Sequence, residues 1–376
     1  MSPLQEETKT VSVRIASVVV LALTLAAAGQ QSGIKAREIL EAHLSHGIGS
    51  SPFDSDVWRD ETNAALIVRA RFGATRSQLE TLAGNRDELE SRLASLRQHG
   101  FVRLDGTLVR AAFPIVIEDA HDLYMHVISE AARRIDAEMR GKWQALLNDL
   151  EARGWADWAY HFVWSQTMDS GSTWALMMEQ GRVPPLSTVI VWVVYPPHPF
   201  KSGTNYYPDT ELRDQMLAVT WRPRTADTVG RIGRAWRSIW SAALTGQTTI
   251  EEREHLGALG LVDNQRSVRV PTVRRQDVLY ARLEALGRDH VQLVARYLPL
   301  PELRILAGVD DKLAFAMAYH DVGWEILKRM VDSGMLAPPP ALREGAPQDV
   351  SMVGVCAVVD AHPTILRELK RALGIK

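Results

Sequence analysis

The residues best suited to binding chemistry lie in a short stretch that follows an apolar run. The stretch opens with the rigid sequence Pro196-Pro197-His198-Pro199 and carries polar or aromatic side chains beyond it. A stiff loop with a cation, a hydroxyl and an amide is typical of a binding site at a strand end, and these groups suit a phosphate or another anion. The alternative is a structural crossover held by the prolines, because the spacing matches no phosphate-binding motif. The candidate ligand-binding residues are His198, Lys201, Thr204, Asn205 and Tyr206.

Two other groups of residues have types that suit metal chemistry. Asp122, His126 and Glu130 recur every four positions, so a helix would place them on one face, where an exposed charged stripe is the simpler interpretation. The dipeptide His320-Asp321 resembles the pair of metal-dependent phosphohydrolases, although such a dipeptide arises easily by chance. The chain has no Gly-x-Ser-x-Gly, His-Glu-x-x-His or phosphate-loop motif. We therefore predict no catalytic residues, no metal and no cofactor, and the sequence favours a protein that is not an enzyme.

Arginines supply the main candidates for contacts with nucleic acid. Between Trp221 and Gln276, ten arginines and five acidic residues give a local charge of +5, whereas the whole chain has a net charge of -2. Local clustering therefore matters more than bulk charge for binding a polyanion. The predicted phosphate-contacting residues are Arg231, Arg234, Arg237, Arg253, Arg266, Arg269, Arg274 and Arg275, together with Arg92 and Arg97 on an earlier helix.

The elements that must position these side chains follow one recurring outline. A leucine-rich helix ends at Gly100, a strand begins at Phe101-Val102, the chain reverses at Asp105-Gly106, and a second strand precedes another helix. Upstream, Asp60, Thr75 and Asn85 are of the types that cap helices, so residues 60–100 divide into three helices. The same outline recurs after two later glycines, at Gly260-Leu261-Val262 and Gly334-Met335-Leu336, the last followed by a strand over residues 350–359.

This outline resembles the winged helix-turn-helix superfamily, here in tandem. The resemblance implies binding to double-stranded DNA, with the third helix, residues 87–98, in the major groove and wing arginines on phosphates. Asp87, Glu88 and Glu90 depart from a typical DNA-reading helix. Winged helices also serve as protein–protein contact modules.

The middle of the chain differs from the repeats. Residues 127–150 predict a long linker helix, and the tryptophan-rich residues that follow favour a core over a platform for stacking bases. Residues 189–195 are apolar without alternation, which indicates a strand buried on both faces, with residues 216–221 as its partner. The single cysteine, Cys356, excludes a disulfide framework within the chain and a cysteine-based zinc site.

The N-terminus allows two interpretations. The apolar run at residues 15–28 ends in Ala26-Ala27-Ala28, like a signal peptide, but Glu6 and Glu7 remove the positive bias that a signal needs. The other interpretation is a buried helix followed by an amphipathic helix over residues 34–44. We expect a cytoplasmic protein that does not contact a membrane unless 15–28 is an anchor, and export through a signal ending near Ala28 is the alternative.

The predicted fold class is mainly α with small β-hairpins (α+β), in which tandem winged-helix modules flank a tryptophan-rich central unit. The predicted function is DNA binding in transcription regulation, with double-stranded DNA as partner and a homo-oligomer as a further assembly. A structural protein that uses winged helices for protein contacts, and an exported ligand-binding protein or enzyme that uses residues 198–209, are the alternatives. The predicted domains are an apolar and an amphipathic helix (1–50), a first winged-helix module (51–126), a linker helix and central α/β unit (127–221), a basic second module (222–285) and an acidic third module (286–376).

Overall fold

The computed structural model describes residues 34–208, 215–221, 248–258, 270–339, 352–359 and 362–373. Its helices are α1 (Ala36–Glu41), α2 (Glu61–Arg69), α3 (Arg76–Ala83), α4 (Arg86–Gln98), α5 (Asp119–Ala152), α6 (Ala159–Val163), α7 (Gly171–Glu179), α8 (Ile250–Ala258), α9 (Val278–Tyr297), α10 (Leu300–Ala307), α11 (Asp311–Asp332) and α12 (Pro363–Leu373). Its strands are β1 (His43–His46), β2 (Ala74–Thr75), β3 (Val102–Asp105), β4 (Leu108–Ala111), β5 (Ile115–Val116), β6 (Ile190–Val194), β7 (Gly203–Pro208), β8 (Gln215–Trp221), β9 (Thr272–Arg274) and β10 (Met352–Val359). The predicted fold class is therefore confirmed at the level of a mainly helical chain with small sheets.

None of the helices within these ranges combines the length and low charge of a membrane-spanning segment. The predicted apolar helix or signal at residues 15–28 lies outside the described residues. So does the stretch at 231–247, with three of the predicted phosphate-contacting arginines.

The chain divides into two units, and each is assembled from three separate segments. The first unit contains the described residues up to Ser129, Gly181–His198 and Leu298–Ala318. The second contains Glu130–Gln180 and the described parts of 199–297 and 319–376. The predicted domains were consecutive along the chain, whereas both units are discontinuous.

Residues 61–111 of the first unit, here called the helix–hairpin segment, begin with three capped helices. The Asp60 carboxylate accepts a hydrogen bond from the Asn63 amide at 2.9 Å, and the Thr75 hydroxyl accepts one from Gln78 at 3.3 Å. The Asn85 side chain likewise accepts one from the Glu88 amide at 2.9 Å. Each cap satisfies an amide that has no partner inside its helix. The three predicted helix starts are thus confirmed.

A hairpin closes this segment. After α4 the chain passes through Gly100, whose φ of 77° favours glycine. Strands β3 and β4 then pair antiparallel from Val102↔Ala111 to Asp105↔Leu108, and β2 pairs antiparallel with the other edge of β4. The resulting sheet has the order β2-β4-β3. The helices and the hairpin share one apolar core, to which Leu66, Leu89, Leu96, Phe101 and Val109 contribute fully buried side chains.

The first unit also contains a sheet with the order β1-β6-β5. Every residue of β6 is buried, which confirms the predicted strand covered on both faces. Its partners are β1, antiparallel, and β5, parallel.

Two predictions are corrected here. The helix expected over 34–44 ends at Glu41, because His43–His46 pairs with β6, and residues 216–221 form β8 of another sheet.

The second unit is built on the larger parts of α5 and α11, on α9, and on a sheet of order β7-β8-β10-β9. Strand β10 pairs antiparallel with β8 and parallel with β9. These two strands, β9 and β10, were predicted to belong to separate hairpins in the second and third modules. They instead lie side by side in one sheet, because each finds its partner in a distant part of the chain.

The helix stop predicted at Gly334 is present, with φ of 71°, but Met335-Leu336 is not a strand. Within the described residues no hairpin follows this helix. The first strand of the second predicted hairpin, at 261–262, lies outside them. Among the described residues, a helix followed by a hairpin is therefore present for the first predicted module.

Candidate functional site

Half of the predicted phosphate-contacting arginines lie in residues that the structure describes. They are Arg92 and Arg97 in the first unit and Arg253, Arg274 and Arg275 in the second. Those outside the described residues are Arg231, Arg234, Arg237, Arg266 and Arg269.

The Arg92 side chain makes its contacts within the first unit, where it links helices of the helix–hairpin segment. Its guanidinium lies 2.7 Å from the Asp60 carboxylate and 2.7 Å from Glu88, and it donates to the Asn63 side-chain oxygen at 2.9 Å. Only 24% of its side chain is exposed. Arg92 therefore ties α4 to the start of α2 and has little capacity left for a phosphate.

Arg97 is placed differently. It is exposed in the last turn of α4, and Arg103 is exposed in the first half of β3. Neither side chain has an ion pair among the described residues. In contrast, Arg110 of β4 is held by Asp105 at 2.7 Å, and the first turn of α4 carries exposed Asp87 and Glu88. Arg97 and Arg103 thus place cations that can meet a polyanion at the C-terminal end of α4 and on the hairpin.

In the second unit, Arg253, Arg274 and Arg275 are all exposed. Arg253 donates to the Thr248 hydroxyl at 2.9 Å at the start of α8, and Arg274 ends the edge strand β9. Their exposure is compatible with phosphate contacts.

The structure corrects the prediction that the candidate ligand-binding residues lie in one rigid loop. Residues 203–208 form strand β7, because Thr204 and Tyr206 pair with β8 in a regular antiparallel register. His198 and Lys201 are buried, each 6% exposed, and His198 belongs to the first unit. Thr204, Asn205 and Tyr206 are half-buried. These side chains therefore do not form one open loop.

Lys201, Thr204 and Tyr206 instead contribute to a buried polar cluster in the second unit. Burial lowers the pKa of Lys201 to about 8, and the charge of Asp321 opposes that shift. Asp321 and His320 lie in α11 and are 1% and 3% exposed. The dipeptide that the sequence presents as a chance pair is thus part of the interior, beside residues of the predicted loop.

Asp169 is at the centre of this cluster. Its Oδ1 accepts a hydrogen bond from Trp174 Nε1 at 2.7 Å and lies 3.8 Å from His320 Nε2. Burial raises the pKa of the Asp169 carboxyl, while His320, Trp174 and Thr204 act in the opposite direction. Tyr206 donates to the Asp169 carbonyl at 2.6 Å. The Asp169 carboxylate and the His320 imidazole are both of the types that bind metal cations.

The backbone beside Asp169 is irregular. Residues Trp164–Met168 form a π-helical turn, a feature that often occurs at functional sites. Ser165 on this turn contacts the Thr204 hydroxyl at 2.9 Å and also the Thr220 hydroxyl, which in turn lies 2.7 Å from His161 Nδ1. The turn therefore brings a chain of hydroxyl groups into the core, where unpaired polar groups would be costly.

A small cavity lies next to the turn, entirely within the second unit. Polar side chains line it from the π-helical turn, the start of α7, strand β7, the first half of α9 and the residue before α12: Gln166, Ser170, Ser172, Tyr206, Tyr280, Glu284 and His362. Ser172 donates to Glu284 Oε1 at 3.0 Å and lies 3.3 Å from the Tyr280 hydroxyl. Since Ser172 donates to a carboxylate and not to an imidazole, the arrangement favours binding over nucleophilic catalysis.

Sequence reasoning did not identify Gln166, Ser172, Glu284 or Asp169. One signal was available: Ser165-Gln166-Thr167 interrupts an otherwise aromatic and apolar stretch between Trp164 and Met168. Polar residues in such a stretch must be satisfied in the interior. The stretch was interpreted as an ordinary helical core.

No family model, curated protein or solved structure matches this chain. The function is therefore argued from geometry and chemistry.

Proposed function

We propose that this protein binds double-stranded DNA through a winged helix formed by the helix–hairpin segment, and that it regulates transcription. The observation that carries the proposal is the order α2-β2-α3-α4-β3-β4 with the sheet order β2-β4-β3. In helix-turn-helix proteins the second helix of the motif enters the major groove, and here that position belongs to α4. The hairpin β3–β4 takes the position of the wing.

The charges of the segment define how it meets DNA. Arg97 and Arg103 contact phosphates, because both are exposed and neither is held by an acid among the described residues. Asp87 and Glu88, at the start of α4, oppose close approach to base edges in a groove lined by phosphates. Binding is therefore mostly electrostatic and discriminates weakly between sequences, with the basic residues 222–275 adding further phosphate contacts.

The test measures the salt dependence of binding by the full chain to a duplex of mixed sequence, by fluorescence anisotropy. Each phosphate contact adds about −0.9 to the slope of log affinity against log salt concentration. The double variant Arg97→Glu/Arg103→Glu is expected to bind every duplex more weakly and to reduce the magnitude of the slope by about 2. The control, Arg296→Glu/Arg304→Glu, changes two exposed arginines outside the segment and should behave like wild type.

The proposal fails if the chain binds no duplex at low salt. It also fails if the control variant weakens binding as much as the segment variant, because net charge would then explain the effect.

A second function is favoured by a specific observation. The acidic first turn of α4 and the exposed Leu104 of β3, 43% exposed, suit a protein partner better than a polyanion. Under this alternative the winged helix is an assembly module. Among the tryptophans of the middle region, Trp143, Trp164 and Trp174 are buried, whereas Trp155 and Trp158 are half-buried and remain available to an interface. Light scattering that detects a stable multimer, together with no affinity for DNA, would support it.

A further inference from the structure

The cavity beside the π-helical turn has the size of a single buried group. It provides about 20 Å³ of space for an atom the size of water, and a buried water needs at least about 10–15 Å³ on this scale. All of its lining residues belong to the second unit. A ligand can therefore place one heavy atom inside, with any larger part outside.

Acceptor atoms predominate on its walls. Glu284 contributes a half-buried carboxylate, and the Ser172 and Tyr280 oxygens keep lone pairs available after their contacts with each other at 3.3 Å. His362 Nδ1 is buried and has no hydrogen-bond partner among the described residues. Burial lowers the pKa of His362, so its ring is neutral near neutral pH and one nitrogen can accept.

Within the part of the chain that the structure describes, Gln166 leaves an unpartnered hydrogen-bond donor on the cavity wall, which an ammonium group does not satisfy as the amide stands. The residue is 8% exposed and lines the cavity from the π-helical turn, yet its Nε2 has no partner among the described residues. A buried amide without a partner costs about 1–3 kcal/mol. A half-turn of the amide group exchanges its oxygen and nitrogen, so the same side chain can present an acceptor.

We propose that this cavity binds the primary ammonium group of a small amine. An ammonium nitrogen is one heavy atom with three donors, and the walls offer a carboxylate, two hydroxyl oxygens and an imidazole nitrogen. Its positive charge is balanced by Glu284. The start of α7 also borders the cavity and would favour an anion, but Ser170 already accepts from the Thr173 amide at 3.1 Å and the Glu284 carboxylate repels an anion.

A series of small molecules that each carry a methyl group tests which chemical class the cavity binds. Saturation-transfer difference NMR on the full chain follows the methyl signals of methylammonium, acetamide, acetate and tetramethylammonium at equal ionic strength. We expect saturable transfer to methylammonium alone. With two heavy atoms, methylammonium should bind with a Kd no tighter than about 5 mM. Tetramethylammonium carries the same charge but is too large and has no N–H donor.

Variants connect the signal to the cavity. Glu284→Gln keeps the shape of the side chain and removes the charge, so it should weaken methylammonium binding at least about tenfold. Ser172→Ala removes one acceptor and should weaken binding less. Glu151→Gln is the matched control, because Glu151 is an exposed glutamate of α5 that does not line the cavity, and methylammonium affinity of this variant should match wild type. Circular dichroism verifies the fold, and Ser172→Ala serves if Glu284→Gln does not fold.

Three results would overturn the inference. Methylammonium that gives no saturable transfer means that the cavity holds only water. Equal binding of acetamide or acetate means that charge does not select the ligand. Unchanged methylammonium affinity in both Glu284→Gln and Ser172→Ala places the bound amine elsewhere. None of these results concerns DNA binding, so the two proposals stand or fall separately.

Discussion

The helix–hairpin segment and the core of the second unit use the same residue types in opposite ways. In the segment, every charged side chain keeps some exposure, with Arg71 and Arg92 the least exposed, and the interior contains aliphatic and aromatic groups. In the second unit, Asp169, Lys201, His161, His290 and Asp321 are all less than 9% exposed. One region displays its charge to the outside, and the other places titratable groups where water cannot stabilise them.

Because their charged groups differ in exposure, the two regions respond to different changes in the surroundings. Exposed charges respond to salt and to polyanions but change stability little, because solvent screens them. Buried titratable groups respond to pH and to small ligands, because each change of protonation costs desolvation energy. We infer that recognition of large partners belongs to the segment and chemical sensitivity belongs to the second unit.

The largest expected effect is acid destabilisation of the second unit. Burial lowers the pKa of both His161 and His290 to about 3. Because the folded pKa is depressed, each ring contributes stability above its unfolded pKa of about 6.5 and loses it as the pH falls. Well below pH about 6.5 the loss approaches about 1.4 kcal/mol per pH unit for each ring, so the two rings together lose about 3 kcal/mol between pH about 6.5 and about 5. Urea unfolding followed by tryptophan fluorescence measures it.

A single substitution isolates one of these rings. Both nitrogens of His290 have no hydrogen-bond partner among the described residues, so His290→Leu keeps the packing and should remove half of the acid slope. The exposed His126 is the control, and His126→Gln should leave the slope unchanged. The raised pKa of Asp169 acts in the opposite sense, because its contribution to stability is lost as the pH rises. This contribution is the same in wild type and in His290→Leu, so it cancels when the two are compared. If His290→Leu loses unfolding free energy with falling pH as steeply as wild type does, His290 is not a source of the acid destabilisation.

An intermediate effect is expected from two helical glycines. A Cβ on Gly287 of α9 would lie 2.5 Å from Thr173 Oγ1 and 2.9 Å from the Thr167 carbonyl of the π-helical turn. Gly287→Ala should therefore destabilise by about 1–3 kcal/mol, as overpacking does. Gly141 of α5 has nothing within 4 Å, so Gly141→Ala should stabilise by about 0.5–1 kcal/mol. Thermal unfolding of both variants gives the direction of each change in stability. A stabilising Gly287→Ala would show that the π-helical turn accommodates the added methyl group easily.

The smallest effect distinguishes two arginines of α4. Arg92→Ala breaks contacts with Asp60 and Glu88 and should cost about 1 kcal/mol, because the side chain is only partly exposed. Arg97→Ala should cost nothing measurable in stability and should weaken DNA binding. The converse pattern, with Arg97 the more important for stability, would remove Arg97 from the proposed phosphate contacts.

Local features of the fold were predictable from the sequence. The helix starts at Asp60, Thr75 and Asn85 follow from capping chemistry, and the burial of β6 follows from its continuous apolar residues. The hairpin β3–β4 follows from its short reversal. Each of these depends on residues that are near one another in sequence.

The sheet of the second unit was not predictable in this way. Strand β10 pairs with β8 and β9, which lie far away along the chain, and no local pattern selects these partners. The predicted second and third modules placed β9 and β10 in separate hairpins, and the pairing of these two strands with each other corrects that prediction. The candidate cavity was missed likewise, because Gln166, Ser172, Glu284 and His362 come from three widely separated stretches.

The discontinuous assembly of the first unit affects how the protein can be made and dissected. Strand β6 is the shared partner of β1 and β5, yet Ile190 leaves the ribosome long after His46 and Val116. During synthesis both early strands must wait with unpaired edges. Expression of residues 34–129 alone would leave them permanently in that state, so a shortened clone intended to isolate the helix–hairpin segment, which we propose to bind DNA, should begin after β1 and stop before β5.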